Sequence, residues 1–144
     1  MVKKHPNLER ALKSQRKPSV LESTIHTQIA QYLNLVIKRP SRWMTVEVSN
    51  QAQGKAAMIR QMQLKKRGVV TGTPDIFIWW VNEDSDGWGR PELKMVFLEV
   101  KVPGGKLTEK QEDLHKELKE DGHYVFTVHS VNAVETILTD LGII

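Results

Sequence analysis

Asp75, Glu99 and Lys101 are the side chains in this sequence whose types and spacing could do chemistry together. Asp75 opens an apolar run over residues 76–81, and Glu99 and Lys101 flank Val100 at the end of a second apolar run. Successive side chains on a strand point to opposite faces, so Glu99 and Lys101 share one face and Val100 turns to the core. If the two runs pair antiparallel around residues 82–94, Asp75 falls opposite the end of the second. Two carboxylates and one ammonium then converge at one end of a small sheet. Carboxylate oxygens with room for water suit Mg²⁺, and a nearby Lys steadies a developing negative charge. Adjacent carboxylates repel without a cation, and a divalent ion relieves the repulsion. The expected chemistry is metal-assisted phosphodiester cleavage. The simpler alternative is an ion pair between Glu99 and Lys101 on an exposed strand face. Against it, three charged groups bordered by apolar strand residues are costly to place without a use.

The elements that must position these groups follow from periodicity. Ser19 opens a helix whose apolar face is Leu21, Ile25, Ile29, Leu33 and Val36, and Arg39-Pro40 closes it. Residues 43–49 alternate as a strand, and residues 50–54 form a polar break. Residues 55–66 are good helix formers, with Ala56, Ile59 and either Met62 or Gln63 inward and Gly68 at the end. Gly72 and Pro74 then fix the backbone path into Asp75. Residues 76–81 and 94–102 are the strands of a hairpin with a long polar loop. Trp88 in that loop is expected to pack over its own hairpin, with stacking on a base or burial in a dimer as the alternatives. Thr108 opens the next helix, with Leu107, Leu114 and Leu118 inward and Gly122 at its end. Residues 123–129 form a strand, and Ser130 caps a last helix that Gly142 stops. Glu22 follows Ser19 by three residues and Gln111 follows Thr108 by three, which is capping-box spacing.

With 144 residues, 40% hydrophobic and 26% charged, the chain suits one soluble domain at 18–144 behind a basic arm at 1–17. There is no cysteine, so disulfides and thiolate metal sites are excluded. No apolar run is long enough to span a bilayer, and the arm lacks a signal peptide's apolar segment, so a cytoplasmic location is expected. The net charge is +4, and it is concentrated. One basic block is the arm; the other is Lys55, Arg60, Lys65, Lys66 and Arg67, with Lys106 beyond the central strand. Such blocks suit a polyanion such as nucleic acid, or are simply solvated surfaces. No phosphate-cradling glycine loop is present, because Gly104-Gly105-Lys106 is too short. The five histidines show no paired ligand spacing. His26, His115, His123 and His129 are read as polar-face or strand-end residues.

Pro74-Asp75 followed by Glu99-Val100-Lys101 resembles the signature of the PD-(D/E)xK nuclease superfamily. Asn50, Gly68-Val69, Gly72-Thr73, Gly105, Gln111 and Gly122-His123-Tyr124 are similar to the flanking motifs of its VRR-NUC branch, over roughly residues 19–135. The resemblance implies an α/β fold, a restriction-endonuclease-like core with a mixed central sheet flanked by helices. It implies that Asp75 and Glu99 hold Mg²⁺, or Mn²⁺ in its place, with the Val100 carbonyl as a further ligand. Lys101 would orient the attacking water, Glu22 would support the metal shell, and Gln111 would position phosphate or water. Small stand-alone members resemble homodimeric junction resolvases acting on branched DNA. A sequence-specific restriction or homing-type nuclease, and a non-catalytic nucleic-acid-binding module, are the alternatives. The residues from 82 to 94 form a longer connection than a tight hairpin needs.

Overall fold

Ile76, Ile78, Val96, Leu98, Val100 and Val128 are fully buried, and their alternation shows which face of the sheet is dry. They belong to the computed structural model of the chain, which describes residues 21–46, 54–83 and 86–144. The expected arm at 1–17, the Ser19 cap, the end of the first strand and Asn50 lie outside the described residues. The elements are α1 (Glu22–Val36), β1 (Arg42–Thr45), α2 (Lys55–Lys66), β2 (Ile76–Asn82), β3 (Glu92–Val100), α3 (Glu109–Glu120), β4 (Tyr124–Val128) and α4 (Val131–Asp140). Their order is the one the periodicity predicts.

The sheet runs β1-β2-β3-β4. The first three strands are antiparallel neighbours, whereas β3 and β4 are parallel, with α3 as the crossover between them. This is a mixed sheet flanked by helices, as a restriction-endonuclease-like core requires. Ile25, Ile29 and Leu33 of α1 and Val134 and Leu138 of α4 bury themselves against the dry face. α3 lies on the other face, against β4. Phe97 packs edge-on between Phe77 and His123 on that side.

Helix ends follow local chemistry. The Thr108 hydroxyl accepts from the Gln111 N–H, and the Gln111 side chain accepts from the Thr108 N–H, which completes a capping box. At the other end Gly122 N–H donates to the Lys119 carbonyl and His123 N–H to that of Leu118, a Schellman motif. The same pair of bonds closes α2 at Gly68 and α4 at Gly142.

Four expectations change. α1 begins at Glu22 with Leu21 as its cap residue, so Glu22 is the first helical residue and cannot be the third-position partner of a capping box. α2 buries none of its residues: Ile59 and Met62 are exposed, Met62 by 61%. Its apolar residues are scattered around the helix and form no stripe that could seal against the sheet. Trp88 is 86% exposed. Its N–H donates to the Asp86 carboxylate in a turn between Gly87 and Gly89, and this holds the residue at the tip instead of over the strands. In α3 the buried side chain is His115, while Leu114 and Leu118 are only partly covered. The helix face turned to the sheet is the one that carries Gln111 and His115, one turn apart.

The loop ahead of β2 is pressed onto α3. Gly72 has φ +88°, and a Cβ there would meet the Lys110 carbonyl oxygen at 2.6 Å and the Gln111 nitrogen at 3.0 Å. Gly72→Ala is therefore expected to lower stability by about 1–3 kcal/mol, through left-handed strain and backbone collision together. An unchanged denaturant midpoint would contradict this close approach.

Candidate active site

The register of β2 on β3 decides the geometry. Ile76 pairs with Leu98, so Asp75, one residue before β2, comes level with Glu99. Asp75 is locked there by its own backbone and side chain. Its carbonyl accepts from Val46 N–H at 2.8 Å, and its Oδ2 accepts from Val100 N–H at 2.8 Å. An extended residue directs its N–H and C=O to the same edge, so the Val100 carbonyl also turns toward Asp75. The Val100 side chain is buried on the dry face, as the alternation requires.

Glu99 points to the opposite face and is almost wholly covered. Its Oε1 accepts from Gln111 Nε2 at 2.6 Å and pairs with Lys101 Nζ at 3.1 Å. Gln111 thus does two jobs. Its side-chain oxygen caps α3, and its nitrogen holds the carboxylate. The side chains of Glu99 and Lys101 are 2% and 14% exposed, so theirs is not a surface ion pair. A buried pair of this kind adds little stability, because desolvation offsets the attraction.

Burial, and next the charge of Asp75, raise the Glu99 carboxyl from 4.5 to about 7; Lys101 opposes the shift and the charge of Glu22 adds slightly to it. Its Oε2 is buried with no hydrogen-bond partner. Such an atom costs on the order of 1–3 kcal/mol, and more when it carries charge. A buried, half-satisfied carboxylate beside a second carboxylate fits a cation. Among the described residues no three carboxylate or imidazole groups converge. The rest of a shell would come from backbone carbonyl, water and phosphate, which is how Mg²⁺ is commonly held.

The structure brings Asp75, Glu99, Val100, Lys101 and Gln111 together. Glu22 stands exposed at the start of α1 and acts on Glu99 through its charge. Lys55, Lys65, Lys66, Arg67 and Lys106 are exposed, and Arg60 is half-buried. Two histidines that sequence reasoning set aside belong to the site's frame. His129 Nδ1 lies 3.1 Å from both the Lys101 and Val102 carbonyls. Carbonyls only accept, so Nδ1 carries the proton and anchors the chain as it leaves Lys101. His115 Nε2 is buried 4.0 Å from Glu99 Oε2. Burial, and then the nearby Lys119, push this imidazole below its ordinary range. The signal for it was its spacing: four residues after Gln111, it shares that residue's helix face.

The VRR-NUC domain model matches residues 16–132, and the chain belongs to that family. No curated protein and no solved structure matches it. VRR-NUC is a nuclease family, so the substrate is a nucleic acid. Among the described residues no helix is long and apolar enough to cross a membrane.

Proposed function

From a VRR-NUC domain with this site, we propose a divalent-metal-dependent DNA endonuclease that hydrolyses phosphodiester bonds and selects branched structures. One observation carries the metal-dependent part: the buried carboxylate of Glu99, raised to about 7, beside Asp75 and Lys101. Asp75, Glu99 and the Val100 carbonyl would hold Mg²⁺, or Mn²⁺ in its place. A bound divalent ion would lower the pKa of its water and neutralise phosphate charge.

The remaining work belongs to the chain. Lys101 presents an ammonium at the rim of the carboxylate pair, where it can orient the attacking water and meet the charge that develops on phosphate. Gln111 holds Glu99 in place from the first turn of α3, and Glu22 adds negative potential for the cation. Asp75 is held by two backbone bonds, so little reorganisation is needed on binding.

Selection of structure over sequence is supported by the character of α2. It buries nothing, and Lys55, Lys65, Lys66 and Arg67 are exposed on it or at its end. Cations of this kind position a nucleic-acid backbone without reading bases. A homodimer with two-fold symmetry would set two such sites on the two strands of a branched substrate. Binding through these residues, Arg60 and Lys106 should weaken by ~10³-fold between ~50 and ~200 mM salt, as counterion release demands. A flat titration would exclude a phosphate-led mode.

The deciding assay is cleavage with Mg²⁺ against EDTA across linear duplex, flap, splayed arm and four-way junction. Cutting confined to branched forms is expected. Discrete fragments from linear plasmid would favour a restriction or homing-type enzyme. Binding with no metal-dependent cleavage of any substrate would leave a non-catalytic module.

A further inference from the structure

We infer that His115 is a positioning residue for Glu99: its Nε2–H holds Glu99 Oε2 and so fixes the plane in which the carboxylate meets a divalent cation. The inference rests on the reading of Glu99 as a cation ligand.

Among the described residues, two buried side-chain polar atoms have no hydrogen-bond partner, and they are Glu99 Oε2 and His115 Nε2. They lie 4.0 Å apart, about 1 Å beyond a hydrogen bond. One is an obligate acceptor, and the other is a donor when the neutral ring carries its proton there. Each therefore has what the other lacks.

The need for such a contact is geometric. The final torsion of a Glu side chain is soft and broad, so contacts at one oxygen do not fix the carboxylate plane. Gln111 and Lys101 both act on Oε1. A hold on Oε2 completes the orientation. α3 can supply it because Gln111 and His115, one turn apart, face the same way. The helix gives both residues to one carboxylate. His115 also lines a groove with Leu107, Glu112, Lys116, Lys119, Glu120 and Thr127.

The test is calorimetric titration of Mn²⁺ and Mg²⁺ into the full chain, compared with His115→Leu, His115→Gln and His115→Asn, with the melting temperature of each. Gln places its amide nitrogen near the position of Nε2, whereas Asn is too short to reach Oε2. His115→Leu should weaken metal binding by about 10–100-fold, the scale for loss of a group that orients a ligand. His115→Gln should recover most of that loss and His115→Asn should not. The Mg²⁺ concentration that half-saturates cleavage should rise in parallel. If the Leu protein does not fold, the Gln-against-Asn difference decides alone. Wild-type affinity in His115→Leu, or equal affinities for Gln and Asn, overturns the positioning role and leaves the nuclease reading intact. A wild-type chain that binds no divalent ion overturns both.

Discussion

Glu99→Gln is expected to abolish cleavage and, in the same protein, to raise the melting temperature measured without metal. The two effects share one cause. Burial and the Asp75 charge disfavour the ionised carboxylate, so folding at neutral pH carries a cost that a neutral amide of the same shape removes. Raising the carboxyl from 4.5 to about 7 corresponds to up to about 3 kcal/mol at alkaline pH. Such a gain amounts to several degrees in Tm. Cleavage, by contrast, should fall by on the order of 10³-fold or more, the scale for loss of a preorganised electrostatic group. On the proposed function DNA binding should persist, since the change only removes a negative charge. Cleavage on a junction substrate and thermal melting in EDTA measure the two effects. If Glu99 and Lys101 formed only a stabilising ion pair, the variant would lose stability. Full activity with a lower Tm would therefore refute the proposed role.

The Glu99 contribution to the stability of the metal-free protein should fall as pH rises from about 5 to about 7, opposed by His115, whose lowered pKa makes its own contribution rise with pH. The sign comes from proton uptake. Between 4.5 and about 7 the folded chain holds a proton on Glu99 that the unfolded chain has released. Where the folded state binds more protons than the unfolded state, stability falls as pH rises. The contribution is complete below 4.5 and is lost as pH passes through about 7. Mg²⁺ should flatten the profile, because a cation replaces the proton as the partner of the carboxylates and stabilises by mass action. Denaturant melts across pH, with EDTA and with excess Mg²⁺, read this directly. Glu99→Gln should show neither the decline nor the Mg²⁺ response. A wild-type profile that Mg²⁺ leaves unchanged would count against a cation between Asp75 and Glu99.

Local rules carried much of the architecture. The order of helices and strands follows from apolar periodicity, because each element buries one face whose period its backbone imposes. Gly68, Gly122 and Gly142 marked helix ends because the closing bonds place that residue at positive φ. The pairing of residues 76–82 with 92–100 was also legible. Two apolar runs joined by a polar loop pair as a hairpin, and the register then brings Asp75 level with Glu99. The capping role of Gln111 was legible from its spacing, and it caps α3; its second bond, to Glu99, was not.

Other features required the folded chain. Whether Glu99 and Lys101 form a surface pair or a buried one depends on α3, a segment that the strand pattern does not contain. The exposure of α2 and of Trp88 depends on what lies above them, and nothing local reports that. His115 looks from sequence like any histidine on a polar helix, yet it is buried because the crossover from β3 to β4 sets its helix over Glu99. The sequence by itself determined which residues could carry the chemistry and which strand face each would take, since both follow from covalent geometry and side-chain type. Only the tertiary structure decided how dry those residues are and which groups hold them. Desolvation and orientation come from segments far apart in the chain, and their strength depends on packing that no local spacing encodes.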